Sequence, residues 1–363
     1  MKAAVLYEAR QPLQVVELDL EPPRRGEVLI KMGAAGICAS DHHVIHGTGT
    51  LPLPAALGHE GAGTVEALGE GVSGLNPGDR CILSFVSDCG YCESCRAGFP
   101  NLCDTFRNAG TRQFDGTFRM RDREGNEVGQ MSKISVFSEQ SVVPAQACYP
   151  VPPDVSMEVA ALIGCCVTTG VGAVINAPGM KAGATIAVFG CGGVGLNAIQ
   201  GARIMNAARV IAVDLYDHKL DYTRRFGATD LVNADREDPV AAIRAMTGGG
   251  VDFAFDTYGS AATISQAVDS LRKTGTAVMV GLAPSGERAP IDMVDLVRNQ
   301  KTLVGSYYGS GSPHQLFGKM IDFHQRGLLD IAGLIERRLP LAQINEGFAA
   351  IDNHENGRGV IVF

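Results

Sequence analysis

Three groups of residues have the types and spacing to do chemistry. The first is Cys89, Cys92, Cys95 and Cys103, spaced C-x2-C-x2-C-x7-C in one polar loop. Four thiols so close match a closed tetrahedral all-cysteine zinc site. An iron–sulfur cluster would also accept four thiolates, and the spacing alone leaves that alternative open. A closed site has no position for substrate, so its role reads as structural. The second group is Cys38, His59 and Cys165, far apart in the chain. Singly they read as buried cysteines and a turn histidine. Together they supply two thiolates and one imidazole, the ligand set of an open, catalytic zinc. Asp41 and Glu60 are carboxylates that could orient the imidazole or hold charge near such a metal.

The third group is the glycine run Gly190-Cys191-Gly192-Gly193-Val194-Gly195. An apolar stretch, 185–189, enters it, and a Gly/Ala-rich amphipathic stretch, 196–205, leaves it. That is strand, turn and helix with G-x-G-x-x-G at the join. The first glycine permits the turn, the second lets a pyrophosphate approach, and the third lets helix and strand pack. Such a run alone is weak evidence. Asp214, at the end of the next apolar strand, strengthens it. A carboxylate there accepts ribose hydroxyls and repels a 2′-phosphate, favouring NAD over NADP, although it could equally cap a helix. Lys219, one helical turn on, could reach the same ribose.

These residues need elements to position them. Before residue 150 the chain is dense in short strands and glycine turns with few convincing helices, which predicts an irregular, largely β region. Within it, 105–133 is long, polar and charged, either a disordered insertion or an ordered functional loop. From 181 the pattern alternates strand and helix and predicts an α/β fold, a doubly wound parallel sheet of about six strands. A final strand is expected at 359–363, able to return to the first region.

Composition sets the outer limits. The 363 residues fit two domains. A net charge of −8 without a basic block argues against a nucleic-acid partner. No uninterrupted apolar run reads as a membrane span, and the N-terminus starts directly in a strand-like pattern. A cytoplasmic location is expected. The ten cysteines then read as metal ligands or reduced core residues.

The run 36–43 with Cys38, Ser40 and His43, the Gly58-His59-Glu60 triplet, the four-cysteine loop, the 162–165 segment and the glycine turn together resemble zinc-dependent medium-chain alcohol dehydrogenases. The resemblance extends from Ala3 to the ending Arg358-Gly359-Val360-Ile361-Val362-Phe363. The long segment after Cys103 looks like the dimeric branch, which includes liver-type enzymes and glutathione-dependent formaldehyde dehydrogenases. The resemblance implies a Rossmann-type sheet at 167–307 and a β-rich, GroES-like catalytic domain at 1–166 and 308–363. It implies two zinc ions per chain, NAD, a small alcohol or aldehyde substrate, and a homodimer, with a tetramer as the alternative.

Residue by residue, the resemblance implies that Cys38, His59 and Cys165 bind the catalytic zinc, with Glu60 able to approach it. Cys166 matches a glycine in many relatives, so the ligand is assigned to Cys165. Ser40 and His43 would relay the alcohol proton; Thr169, Val194, Val280 and Leu282 would contact the cofactor, and Arg358 its pyrophosphate. Phe85, Leu282 and Tyr307, with Ser40, fall where relatives line the substrate pocket. Ala39 departs from the basic residue that liver-type relatives often carry there. The leading expectation is reversible hydride transfer between primary, aromatic or medium-chain alcohols and NAD. Arg107 lies near where glutathione-dependent relatives hold the glutathione carboxylate, whereas His43 is the liver-type relay residue. Further alternatives are a relative with tightly held nicotinamide and an external acceptor, and a non-enzymatic NAD-binding redox sensor.

Overall fold

The computed structural model describes residues 1–108 and 110–363. They form two compact units. The first comprises Met1–Cys166, Ser312–Asp322 and Ile331–Phe363, the second Val167–Gly311 and Phe323–Asp330. Sequence reading assigns the whole tail from 308 to the first domain. Residues 308–311 and 323–330 instead group with the second unit; in the latter stretch Gln200 Oε1 accepts from Asp330 N at 2.8 Å and Arg203 Nη2 donates to Leu328 O at 2.6 Å.

The first unit begins with β1 (Lys2–Leu6), β2 (Gln14–Glu17), β3 (Asp19–Leu20), β4 (Glu27–Gly36), β5 (Ala55–Ala56), β6 (Gly61–Leu68) and β7 (Arg80–Leu83). It continues through β8 (Met120–Arg121), β9 (Glu127–Gln130), β10 (Gln140–Pro144) and β11 (Cys148–Pro150). Its spine is β4, where Val28, Ile30 and Met32 alternate inward with at most 2% exposure. β4 pairs antiparallel with both β6 and β10. A core of Leu6, Ile30, Leu57, Phe137, Phe348 and Ile361 closes beneath.

The described residues of segment 105–133 are ordered. The segment supplies β8 and β9 to a second sheet, β2-β1-β5-β9-β8-β3. Its charges do not face water alone: Arg119 is fully buried, donating to both carboxylate oxygens of Glu27 at 2.6 and 2.8 Å and to Asp115 at 2.7 Å. Lys133 is also buried, its Nζ donating to Phe106 O and Gly110 O, both at 3.1 Å, over the Phe106 ring. Buried cations persist only with such partners.

The second unit holds β12 (Thr185–Phe189), β13 (Arg209–Asp214), β14 (Asp230–Asn233), β15 (Val251–Asp256), β16 (Leu271–Met279) and β17 (Thr302–Gly305). Every pairing is parallel, in the order β14-β13-β12-β15-β16-β17. The central strands are nearly continuous runs of buried apolar residues, as strands covered on both faces must be. This is the doubly wound order, with its switch point between β12 and β15.

The tail of the first unit adds β18 (Ile335–Leu339) and β19 (Arg358–Val362). β19 pairs antiparallel with β4, Val360 opposite Gly36.

Two local expectations change. Residues Ala39–Ile45 form a helix that the polar run 38–43 conceals, because only Asp41 and Val44 turn inward. The continuous helical stretch Met157–Ile175 is 19 residues long and apolar enough to cross a membrane, contrary to the expectation that no such stretch exists. Its glycines, threonines and cysteines disguise it, and 83% of its apolar window is buried inside the protein, as in a core helix.

Candidate metal centres and dinucleotide turn

The four-cysteine loop folds around a short helix, Glu93–Arg96. The sulfurs of Cys89, Cys92, Cys95 and Cys103 lie within 4.8 Å of one another, and those of Cys92 and Cys103 are 4.0 Å apart. Zinc–sulfur bonds of about 2.3 Å in a tetrahedron require sulfurs about 3.8 Å apart. Backbone and hydroxyl donors point at the sulfurs: Cys89 N to Cys103 Sγ at 3.4 Å, Cys92 N and Thr105 Oγ1 to Cys89 Sγ at 3.3 Å. Burial opposes ionisation of Cys89, but the Thr105 hydroxyl and backbone N–H groups outweigh it and bring the thiol down to about 6. The set fits a thiolate-held zinc. None of the ten cysteines is in a disulfide, so no such bond competes for these sulfurs.

The second centre gathers three distant stretches within the first unit. Cys38 precedes the helix Ala39–Ile45, His59 enters β6, and Cys165 sits in a π-helical turn, Ile163–Val167. Ligand atoms of Cys38, His59, Glu60 and Cys165 lie within 4.8 Å of one another, all buried. Cys165 Sγ is 3.4 Å from His59 Nε2. The other imidazole nitrogen, Nδ1, is 3.1 Å from Asp41 Oδ2, while Asp41 Oδ1 accepts from Gly58 N at 3.0 Å. Asp41 thereby turns Nε2 towards the sulfurs. Burial opposes charge on His59, but the Asp41 carboxylate and then Cys38 outweigh it and hold the imidazole well above its ordinary range. Two thiols and one oriented imidazole fit zinc with a position left open.

Glu60 faces a different partner. Its Oε2 accepts from Arg358 Nη2 at 2.6 Å, with the two side chains 0% and 7% exposed. Burial pushes the Glu60 carboxyl up to about 7 against the pull of Arg358. Phe85 sets its ring edge-on to His59, centroids 5.5 Å apart, next to the same donors. Ser40 and His43 ride on the helix after Cys38, both half-buried. Burial, then the neighbouring His42, lowers the His43 imidazole below its usual range. Arg107 is exposed on a short helix, Asp104–Asn108.

The second unit carries the glycine turn at the β12 end of its switch point. Gly190 has φ of +91°, a left-handed conformation that favours glycine. A Cβ on Gly195 would lie 1.9 Å from Gly190 O, so the third glycine is a packing requirement. A Cβ on Gly192 would meet nothing within 4 Å, leaving open space where the turn meets the helix Gly193–Ile204. That open backbone at a helix N-terminus fits a pyrophosphate. Asp214 ends β13 and accepts from Cys191 N and Leu215 N, both at 2.8 Å, tying the acidic residue to the turn. Lys219 lies one turn along the next helix, its Nζ 5.6 Å over the Tyr216 ring. Thr257 is a residue the sequence did not signal: its hydroxyl donates to Phe189 O at 3.0 Å and Gly190 O at 2.8 Å, clamping the turn from 67 positions away. In the same unit Thr169 and Val194 are half-buried and Val280 is 8% exposed, whereas Leu282 and Tyr307 are 57% and 38% exposed.

Comparison with known proteins adds to this geometry. The family model described as alcohol dehydrogenase GroES-like domain matches residues 24–153, and that described as zinc-binding dehydrogenase matches 193–326. S-(hydroxymethyl)glutathione dehydrogenase of Saccharomyces cerevisiae is 35% identical over 99% of this chain and 95% of the relative. The chain belongs to the zinc-binding alcohol dehydrogenase family. Another family member, alcohol dehydrogenase class-3 of Cereibacter sphaeroides, is 36% identical over 100% of this chain and 99% of its own. Among solved structures, benzyl alcohol dehydrogenase from Acinetobacter calcoaceticus superimposes with a TM-score of 0.92 at 33% identity, covering 100% of this chain and 99% of that one. The protein is accordingly a zinc- and NAD-dependent oxidoreductase of this family, with the α/β fold and GroES-like domain that its sequence predicts.

Proposed function

We propose that the protein catalyses reversible oxidation of primary alcohols, aromatic ones included, to aldehydes with NAD. The observation that carries this reading is the buried set Cys38, His59 and Cys165 with the Phe85 ring beside it. When bound, zinc lowers the effective pKa of an alcohol and NAD accepts the hydride. The chain's own part is to hold and to move protons. Cys38, His59 and Cys165 hold the metal, and Asp41 keeps Nε2 of His59 as the ligand atom. Ser40 Oγ receives the alcohol proton and passes it towards the His43 imidazole. That imidazole is kept neutral near pH 7 by burial and by His42, so it can accept the proton. Asp214 and Lys219 hold the adenosine ribose, and the open face of Gly192 receives the pyrophosphate. Thr169, Val194, Val280 and Leu282 contact the nicotinamide half.

A second reading, oxidation of the adduct of formaldehyde and glutathione, is favoured by the class-3 and S-(hydroxymethyl)glutathione dehydrogenase relatives and by Arg107. The relay residue His43 supports the alcohol reading. An NADH-absorbance assay with benzyl alcohol, short-chain alcohols, and formaldehyde with and without glutathione separates the two. Turnover of alcohols without glutathione supports the first; turnover confined to formaldehyde plus glutathione overturns it.

We further infer a homodimer. Strand β17 ends its sheet, pairing only with β16 among the described residues. Its own Leu303 is 41% exposed, and on the helix Met293–Arg298 that precedes it in the chain Met293, Val294 and Val297 are 58–77% exposed. An open strand edge and exposed apolar side chains are surface that a second copy can cover. Light scattering during gel filtration reports the mass. Ten cysteines without a disulfide, four of them in a thiolate set, favour a reducing cytoplasmic setting.

A further inference from the structure

A third cluster of ligating side chains lies outside both cysteine centres and shares no donor with them. His42 and His46 stand one turn apart, the first inside the helix Ala39–Ile45 and the second at its C-cap. Asp352 is the last residue of the helix Ile344–Asp352. Asp352 Oδ1 is 2.7 Å from His42 Nε2 and 3.8 Å from His46 Nε2, and one ligand atom from each residue lies within 4.8 Å of the others. The two imidazole rings are 4.1 Å apart, centroid to centroid. His42 is held in place, with its side chain 18% exposed and its ring 6.5 Å from that of Phe348. His46 and Asp352 are half-exposed, at 50% and 52%.

We propose that His42, His46 and Asp352 form an exchangeable binding site for a divalent transition-metal ion of the zinc class. Two imidazoles and one carboxylate are donors that Zn²⁺ takes readily, whereas Mg²⁺ and Ca²⁺ prefer all-oxygen sites. A tetrahedral ion with bonds of about 2.0 Å needs donors about 3.3 Å apart. The observed separations of 2.7 and 3.8 Å straddle that value, and the exposed Asp352 carboxylate can shift by the fraction of an ångström required. Water completes the coordination from the exposed side. The C-terminal ends of both helices meet here, and their partial negative charge favours a cation. The bound ion ties the helix that carries Ser40 and His43 to the helix Ile344–Asp352. The site rests on its own geometry and holds whatever substrate the enzyme uses.

The test uses the full chain with both cysteine sites filled, verified at two zinc ions per chain by elemental analysis. ZnCl₂ is then titrated in by calorimetry. A third zinc per chain is expected in the wild type. In His46→Gln and in Asp352→Asn its affinity should fall at least 10-fold while the two original ions stay bound. MgCl₂ in the same range should give no saturable signal. Saturation of the wild type at two zinc ions would overturn the proposal. So would a third zinc bound equally by wild type and by His46→Gln, the more exposed histidine and the variant least able to disturb folding.

Discussion

Asp41 Oδ2 stands 3.1 Å from Nδ1 of His59, and both side chains are almost wholly buried, at 0% and 4% exposed. The contact selects which imidazole nitrogen faces Cys165. Carboxylates in this position raise ligand basicity and fix the ring, and their loss typically costs 10–100-fold in metal affinity. Asp41→Asn is therefore expected to weaken zinc at the Cys38 centre by about 10–100-fold. Dialysis against a chelator should bring the variant to one zinc per chain while the wild type keeps two. Equal retention would show that Asp41 does not orient the ligand.

The glycine turn offers a paired test. Gly192→Ala meets nothing within 4 Å and has an ordinary negative φ of −77°, so its stability should change by no more than about 0.5 kcal/mol. Its methyl group occupies the pyrophosphate approach, and NAD affinity should fall at least tenfold. Gly195→Ala drives a Cβ to within 1.9 Å of Gly190 O and should lower the melting temperature as well. If Gly192→Ala binds NAD as the wild type does, the phosphate sits elsewhere.

Arg119 is the anchor of segment 105–133. Arg119→Met leaves the 8%-exposed Glu27 carboxylate without its bidentate partner, retaining only the Arg24 N–H at 2.9 Å. Breaking such a pair costs about 3–5 kcal/mol, readable by denaturant unfolding. A loss below about 1 kcal/mol would mean that the segment is not held by this pair.

Asp115 gives a pH signature for the same network. Burial opposes its ionisation, but hydrogen bonds from Thr117 and Arg119 prevail and hold its carboxyl well below the usual range. A carboxyl depressed on folding contributes stability above its unfolded value of about 3.9, lost as pH falls through the folded value. The side chain is 38% exposed, so Asp115→Asn should cost only about 1 kcal/mol at pH 6. The gap between variant and wild type should close as pH falls below about 4. A gap that persists unchanged at pH 3 would assign the loss to packing instead.

Ala39 opens the helix after Cys38 and is exposed. The family resemblance implies a cation here that meets the cofactor pyrophosphate in liver-type enzymes, and Arg358 pairs with Glu60 at 2.6 Å. Ala39→Arg is expected to tighten NADH and slow its release, measured by stopped-flow fluorescence. Unchanged affinity and off-rate would contradict this.

What could be read from the chain by itself was chemistry carried by neighbours in sequence. Cys89, Cys92, Cys95 and Cys103 close their site within 15 positions, and Gly190, Gly192, Gly195 and Asp214 lie along one strand–turn–helix–strand unit. Local backbone geometry converts such spacings directly into positions in space. The parallel sheet was equally legible, because its buried strands are unbroken apolar runs.

Other features depend on contacts between remote segments, which no local spacing encodes. Cys38, His59 and Cys165 could be grouped by ligand type and by resemblance but not by spacing; β4, β6 and the π-helical turn bring them together. The division of labour between the two carboxylates was open until the fold turned Asp41 to His59 and Glu60 to Arg358, 298 positions away. The sequence leaves segment 105–133 between a disordered insertion and an ordered functional loop, because it shows no partners for the segment's charges. Tertiary structure pairs Arg119 with Glu27, and a buried charge becomes tolerable only when such a partner arrives from elsewhere in the chain.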